Sequence, residues 1–160
     1  MKKFTLCLKM YFFLLICLIF MAFSLVSSLD EETAYIQGIL SSHYNNSTEV
    51  HPLKRYELNV TNSGFCRYKR FFENGKVEYF SFNLAKFKEL DYYGTDKSGK
   101  LFLRTKGDDV IVQTYGDKEE GDVDSMATYM IIPLKNIEPQ DLTDLSVRLL
   151  RMNAQRLAQK

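Results

Sequence analysis

Residues 65–83, Phe65 to Asn83, read FCRYKRFFENGKVEYFSFN, and this stretch decides the fold class. Phe65–Phe72 and Val77–Asn83 are two short runs rich in aromatic residues, the composition of strands whose side chains project alternately to two faces. Between them stands Glu73-Asn74-Gly75-Lys76. Asn-Gly tolerates the left-handed backbone of a tight hairpin turn, so the stretch predicts two antiparallel neighbours. A chain built from such hairpins is not a doubly wound parallel sheet, which needs a helical crossover between strands.

The same period of two continues outward. Tyr56, Leu58 and Val60 alternate with Glu57, Asn59 and Thr61, predicting a strand with one wet face, and Asn62-Ser63-Gly64 turns the chain into the hairpin. Upstream, Asn45 to Pro52 reads as a polar linker. Before it, Ile36, Ile39 and Leu40 at helical spacing, with Asp30, Glu31 and Glu32 ahead of them, predict a helix from Asp30 to about Ser42. Downstream, Lys86 to Tyr93 fits either a helical turn or a strand, and Gly94 to Lys100 is turn-rich. Leu101–Thr105 and Val110–Tyr115 read as strands around Lys106-Gly107-Asp108-Asp109, where a tight hairpin is expected. Ser125 to Pro133 follows as the last strand. Pro139 opens a helix to about Ala158, with Leu142, Leu145, Leu149 and Met152 as its apolar stripe, acids at its start and arginines at its end. The fold class expected is α+β: about seven antiparallel strands in a bent sheet or partly open barrel, between an N-terminal helix and a C-terminal amphipathic helix.

Met10 to Val26 is an apolar run of 17 residues behind Lys2, Lys3 and Lys9. It predicts a signal peptide over residues 1–28, cut after Ser28, with Val26 and Ser28 as the small residues before the cut. Its length is also at the lower end of the roughly 17 to 25 residues that span a bilayer, so an uncleaved signal anchor is the alternative. Cys17 lies inside the run behind bulky Ile16, a poor setting for lipidation. Residues 29–160 then form a single domain carrying 18 of the 21 basic residues and all 20 acidic ones. That slight acidity, without a basic block, argues against nucleic acid and against electrostatic attachment to membranes. Cys66 is the only cysteine after residue 28, so a disulfide within the domain is excluded and the apolar core must hold the fold. A buried strand thiol is expected there, with pairing between chains as the other reading.

Seven strands closed by one amphipathic helix resemble the pleckstrin-homology roll. The segment Arg67-Tyr68-Lys69-Arg70-Phe71-Phe72 is similar to the basic-aromatic second strand of that family, although the chain lacks the Trp usual in the family's closing helix. Phrases such as SFNLAKF, LFLRTKG and YMIIPLKNIEPQDLTDL look like those of small uncharacterised exported proteins of Bacteroidetes. The first resemblance implies a roll and, in the cytosol, phosphoinositide headgroups, which export puts out of reach. The second implies a leader and a compact β-rich body, with no activity attached.

Arg67, Lys69 and Arg70, with Lys54 and Arg55 across the hairpin, are the candidate ligand-binding residues, because clustered guanidinium and ammonium groups can grip an anion. Glu57, Glu73 and Glu78 are near enough in sequence pattern to neutralise them. The acidic loop from Gly116 to Asp124 has oxygen ligands of the kind calcium takes, but it lacks the glycine and closing glutamate of an EF-hand loop, so a solvated hairpin tip is expected. His43 and His51 have no partner at zinc-ligand spacing, so no metal site is expected. No nucleophile elbow, glycine-rich phosphate loop or paired carboxylates stand out, so neither catalytic residues nor cofactors are expected. The formal glycosylation acceptors at Asn45, Asn46 and Asn59 are read as chance. Tyr79, Phe80, Phe82, Tyr92, Tyr93, Tyr115 and Tyr129 could line a groove for a peptide or sugar, yet core packing is the expected use for most of them.

These readings point to an exported, secreted or periplasmic, non-catalytic domain that binds a protein, peptide or small ligand. A membrane-tethered envelope scaffold is the alternative, single-pass through an uncleaved leader, and a small hydrolase ranks third.

Overall fold

The computed structural model describes residues 10, 12–16, 29–48 and 51–158. The predicted cut after Ser28 and most of the leader lie outside the described residues; within it, residues 10 and 12–16 are helical. No helix among the described residues is long and apolar enough to cross a membrane.

Among the described residues the domain is α+β, with helix α1 over residues 29–42, eight strands, and helix α2 at Pro139–Ala158. The strands are β1 Leu53–Val60, β2 Phe65–Phe72, β3 Val77–Asn83, β4 Phe87–Gly94, β5 Ser98–Thr105, β6 Val110–Tyr115, β7 Val123–Ala127 and β8 Tyr129–Lys135. They form a five-stranded sheet, β1-β2-β3-β6-β7, and a three-stranded sheet, β4-β5-β8, with all pairs antiparallel. Neither sheet closes on itself into a barrel. The β2–β3 hairpin is as expected: Gly75 takes φ +92°, and Phe72 N–H donates to the Lys76 carbonyl at 2.9 Å.

Two sequence expectations are corrected. Leu101–Thr105 and Val110–Tyr115 are strands, but they do not form a tight hairpin. β5 already has β4 on one side and β8 on the other, so β6 leaves for the free edge of β3, pairing Phe80 with Val112. The expected last strand, Ser125 to Pro133, is two strands broken at Thr128, which raises the count to eight. Ala127 packs inward on one sheet and Met130 is fully buried on the other, three residues apart, which an unbroken period of two forbids. Thr128 is where the phase resets.

The chain changes sheets at three places, and hydrogen bonds tie these places together. After β3, Asn83 Oδ1 accepts from Ala85 N–H and caps a 3₁₀ turn at Leu84–Lys86, so the ambiguous stretch is a turn followed by strand β4. Thr105 donates its N–H and hydroxyl to the Thr128 carbonyl at 2.8 and 3.1 Å, and Lys106 N–H donates to the Lys86 carbonyl at 3.0 Å. Buried Asn153 of α2 donates its amide to the carbonyls of Leu84 and Phe87, at 2.8 and 3.1 Å, satisfying groups that the sheets leave over.

The core lies between the two sheets and the helices. Ile36 and Leu40 of α1, and Leu145, Leu149 and Met152 of α2, have no exposed surface and pack with Tyr68, Phe82, Leu101, Leu103, Met130, Ile132 and Leu134. Glu32 joins the helices by accepting from both Arg148, at 2.8 Å, and Arg151. The predicted linker is partly structural. His43 and Asn45 pair by backbone with Lys135 and Pro133 along the edge of β8, and Tyr44 is buried. Gln37 performs the same service for β1, donating to the Leu58 carbonyl and accepting from Val60 N–H, both at 2.7 Å. Cys66 is buried on β2, and burial pushes its thiol up to about 12.

Candidate functional site

Strand β2 carries three of the five predicted ligand-binding residues, and its pleat separates them. Cys66, Tyr68, Arg70 and Phe72 face the core side, whereas Phe65, Arg67, Lys69 and Phe71 face outward. Arg70 therefore does not join Arg67 and Lys69. Its guanidinium pairs with Glu78 and sits between the rings of Tyr68, Phe72 and Phe80, each about 5.5 Å away. Glu78 also binds Lys76 at 3.2 Å, and Lys76 binds Asp117 at 2.8 Å. The hydrogen bond from Lys76, followed by those from the backbone of Glu120 and Glu119, holds the Asp117 carboxyl down at about 2.

The outward pair is held differently. Lys69 Nζ lies 4.8 Å from the centre of the Phe71 ring, and the Arg67 guanidinium lies 5.2 Å from that of Phe65. Neither has a carboxylate partner among the described residues. Arg55, opposite Phe71 in the register, lies 3.6 Å over the same ring and pairs with Glu57. Lys54 sits in the irregularity between Leu53 and Arg55 and is exposed. The structure thus brings together Arg55, Arg67 and Lys69 on one outer sheet face, with Lys54 at its rim and Arg70 on the other side.

The outer face of the three-stranded sheet holds a second cluster. Register places Asp91 beside Phe102, and Arg104 between Glu89 and Tyr129. The Phe102 ring meets Tyr93 edge-on at 5.1 Å and Tyr129 at 5.4 Å, and the Arg104 guanidinium lies 5.9 and 5.5 Å from the rings of Phe102 and Tyr129. Asp91 accepts from Arg104 Nε. That hydrogen bond first, and the Tyr93 hydroxyl after it, raise the Arg104 pKa above its ordinary value. Tyr93 is 60 % exposed and Tyr129 39 %. Gly94 and Gly99 let the β4–β5 hairpin close tightly beside Tyr93, since a Cβ on Gly94 would stand 2.4 Å from the Gly99 backbone.

The proposed aromatic groove is therefore divided. Phe82 is core, Phe80 and Tyr92 pack against the core, and Tyr93, Tyr115 and Tyr129 are exposed on outer faces. Phe102 and Arg104 complete the cluster and were not singled out from sequence. Their signal was the outward phase of β5, in which Lys100, Phe102 and Arg104 alternate with buried Leu101 and Leu103. The acidic loop is the tip of the β6–β7 hairpin. Asp117 Oδ1 accepts from Glu119 and Glu120 N–H, and Asp122 accepts from Asp117 N–H, so these carboxylates shape the turn. Asn45, one of the formal glycosylation acceptors, is buried, whereas Asn46 and Asn59 are exposed.

No protein-family model, no curated protein and no solved structure matches the chain.

Proposed function

We propose that this chain is an exported, non-catalytic interaction domain that binds a protein or peptide partner through the outer face of its three-stranded sheet. The observation that carries this reading is the cluster of Tyr93, Phe102 and Tyr129 around an Arg104 anchored by Asp91. Tyrosine and arginine are the residue types that most often dominate protein interfaces, since each offers large area and polar handles with little side-chain freedom to lose. The rings favour a peptide over a sugar. They meet at 82° and 53° to one another, so they offer no flat platform on which a row of pyranose rings could stack.

The leader would carry the domain out of the cytosol, as in the small exported Bacteroidetes proteins it resembles. The tethered alternative draws on residues Phe12 to Leu15, a helical stretch whose apolar side chains are more than half exposed. The mass of the N-terminus in the cell envelope separates the two: a chain starting near Leu29 excludes the tether, and an intact Met1 excludes release.

A peptide-display selection against the protein tests the binding reading. Selected peptides are expected to share an apolar anchor residue, and Tyr93→Ala is expected to weaken them by about tenfold or more, the usual loss at an aromatic hot spot. Equal binding to wild type, Tyr93→Ala and Tyr129→Ala would overturn it.

A further inference from the structure

The cations on the outer face of the five-stranded sheet are spaced by the strand itself. Arg67 and Lys69 are two residues apart on β2, which puts their Cα atoms about 7 Å apart on one face. One further step along the same face is Phe71, whose ring lies under the Arg55 guanidinium. The face thus offers three cationic positions in line, of which Arg55 is already paired with Glu57, the residue that the register sets opposite Lys69. Two of them, Arg67 and Lys69, lie beside rings and make no ion pair with a carboxylate among the described residues. Arg55, Arg70, Arg104, Arg148 and Arg151 all have carboxylate partners by contrast. The domain beyond residue 28 has more acidic than basic residues, so this face runs against its net charge.

We propose that the outer face of β1–β2 docks an extended acidic peptide segment whose carboxylates recur at every second residue. An extended peptide places alternate side chains on one side at the same repeat of about 7 Å, so its carboxylates meet Arg67 and Lys69 in step and reach Arg55 by displacing Glu57. Guanidinium groups held over a ring still present edge N–H groups for a charge-assisted bond to carboxylate. Asn59, exposed opposite Arg67 in the register, adds an amide at the Arg67 end of the row. This surface is separate from the aromatic cluster and stands or falls independently of it.

The test uses the full chain in a neutral detergent and two fluorescent peptides of equal charge. One alternates Glu and Thr over seven residues, and the other places its four Glu together before its three Thr. The alternating peptide is expected to bind about tenfold tighter. Arg67→Gln with Lys69→Gln is expected to abolish the preference while leaving the melting temperature within a few degrees, and Lys100→Glu, on the opposite sheet, to leave it unchanged. Equal affinity for the two peptides would reduce the face to nonspecific attraction and overturn the proposal, as would a preference that survives the double substitution. Stronger competition by a linear sulfated polysaccharide than by the alternating peptide, at equal charge, would overturn the peptide as its occupant.

Discussion

Lys69 and Arg70 are neighbours in sequence, and the pleat of one strand gives them opposite circumstances. Arg70 points into the mouth of the five-stranded sheet, where its side chain is 19 % exposed, three rings surround it and Glu78 neutralises it. Lys69 points outward, rests on Phe71 and keeps its charge available to solvent. The chemistry of a cation on a sheet is set less by its type than by its parity. An inward cation must be paired because desolvation penalises a lone charge, whereas an outward one can be left unpaired for a ligand.

The sharpest way to break this comparison is to cut into each side of β2 in turn. Tyr68 is fully buried, lies 5.9 Å from the Phe80 ring and shares a 2.7 Å hydroxyl contact with Tyr44, so Tyr68→Ala is expected to cost about 3–5 kcal/mol in urea unfolding. Phe71→Ala on the outward side is expected to cost about 1 kcal/mol, because the ring has little packed above it beyond two cationic stems. Equal losses would mean that the outer face is structural and has no surface to spare for a ligand.

Next in size is the charge pair itself. Glu78→Gln keeps the shape but removes the carboxylate that pairs with Arg70 and Lys76 in a part-buried setting, and about 1–3 kcal/mol of destabilisation is expected by thermal or urea unfolding. The matching outward change, Glu57→Gln, is expected to cost under about 0.5 kcal/mol, as exposed pairs usually do. Smaller again is Tyr44→Phe, which removes only the hydroxyl shared with Tyr68 and leaves the ring stacked on Tyr56 at 3.7 Å. About 1 kcal/mol is expected, and no measurable change would show that water replaces the hydroxyl.

Much of this arrangement was legible in the sequence. The period of two located β1 to β3 and the inward set of Leu58 and Val60, and the stripe of α2 named its buried Leu145, Leu149 and Met152 but not its buried Asn153. What escaped reading was long-range. Nothing local to Lys106–Asp109 reveals that β5 is already paired on both sides, which is why a turn that looks like a hairpin is a change of sheet. The break at Thr128 was hidden because apolar residues continue through it. For the candidate site, parity alone would have removed Arg70 from the group of Arg67 and Lys69, since Arg70 stands an odd number of positions from both and cannot share their face of a strand. The Phe102–Arg104 cluster was within reach by the same rule, but its meeting with Tyr93 and Tyr129 depends on β5 lying between β4 and β8.

The finest probe of the inward network is acid. Asp117 titrates at about 2 in the folded chain against an ordinary value of 3.8, because Lys76 and the turn amides favour its charged form. Between these values the unfolded chain binds a proton that the folded chain refuses. The stabilisation is therefore fully present above about pH 4 and is lost as the pH falls through 2. In Asp117→Asn this contribution is absent, so the melting temperature of the variant is expected to fall less steeply than that of the wild type between pH 4 and pH 2. Parallel slopes would show that the Lys76–Asp117 contact does not persist in solution. The charge network on the core side of β2 would then end at Lys76, and the contrast between Arg70 and its outward neighbours would rest on the Arg70–Glu78 pair and the rings around it.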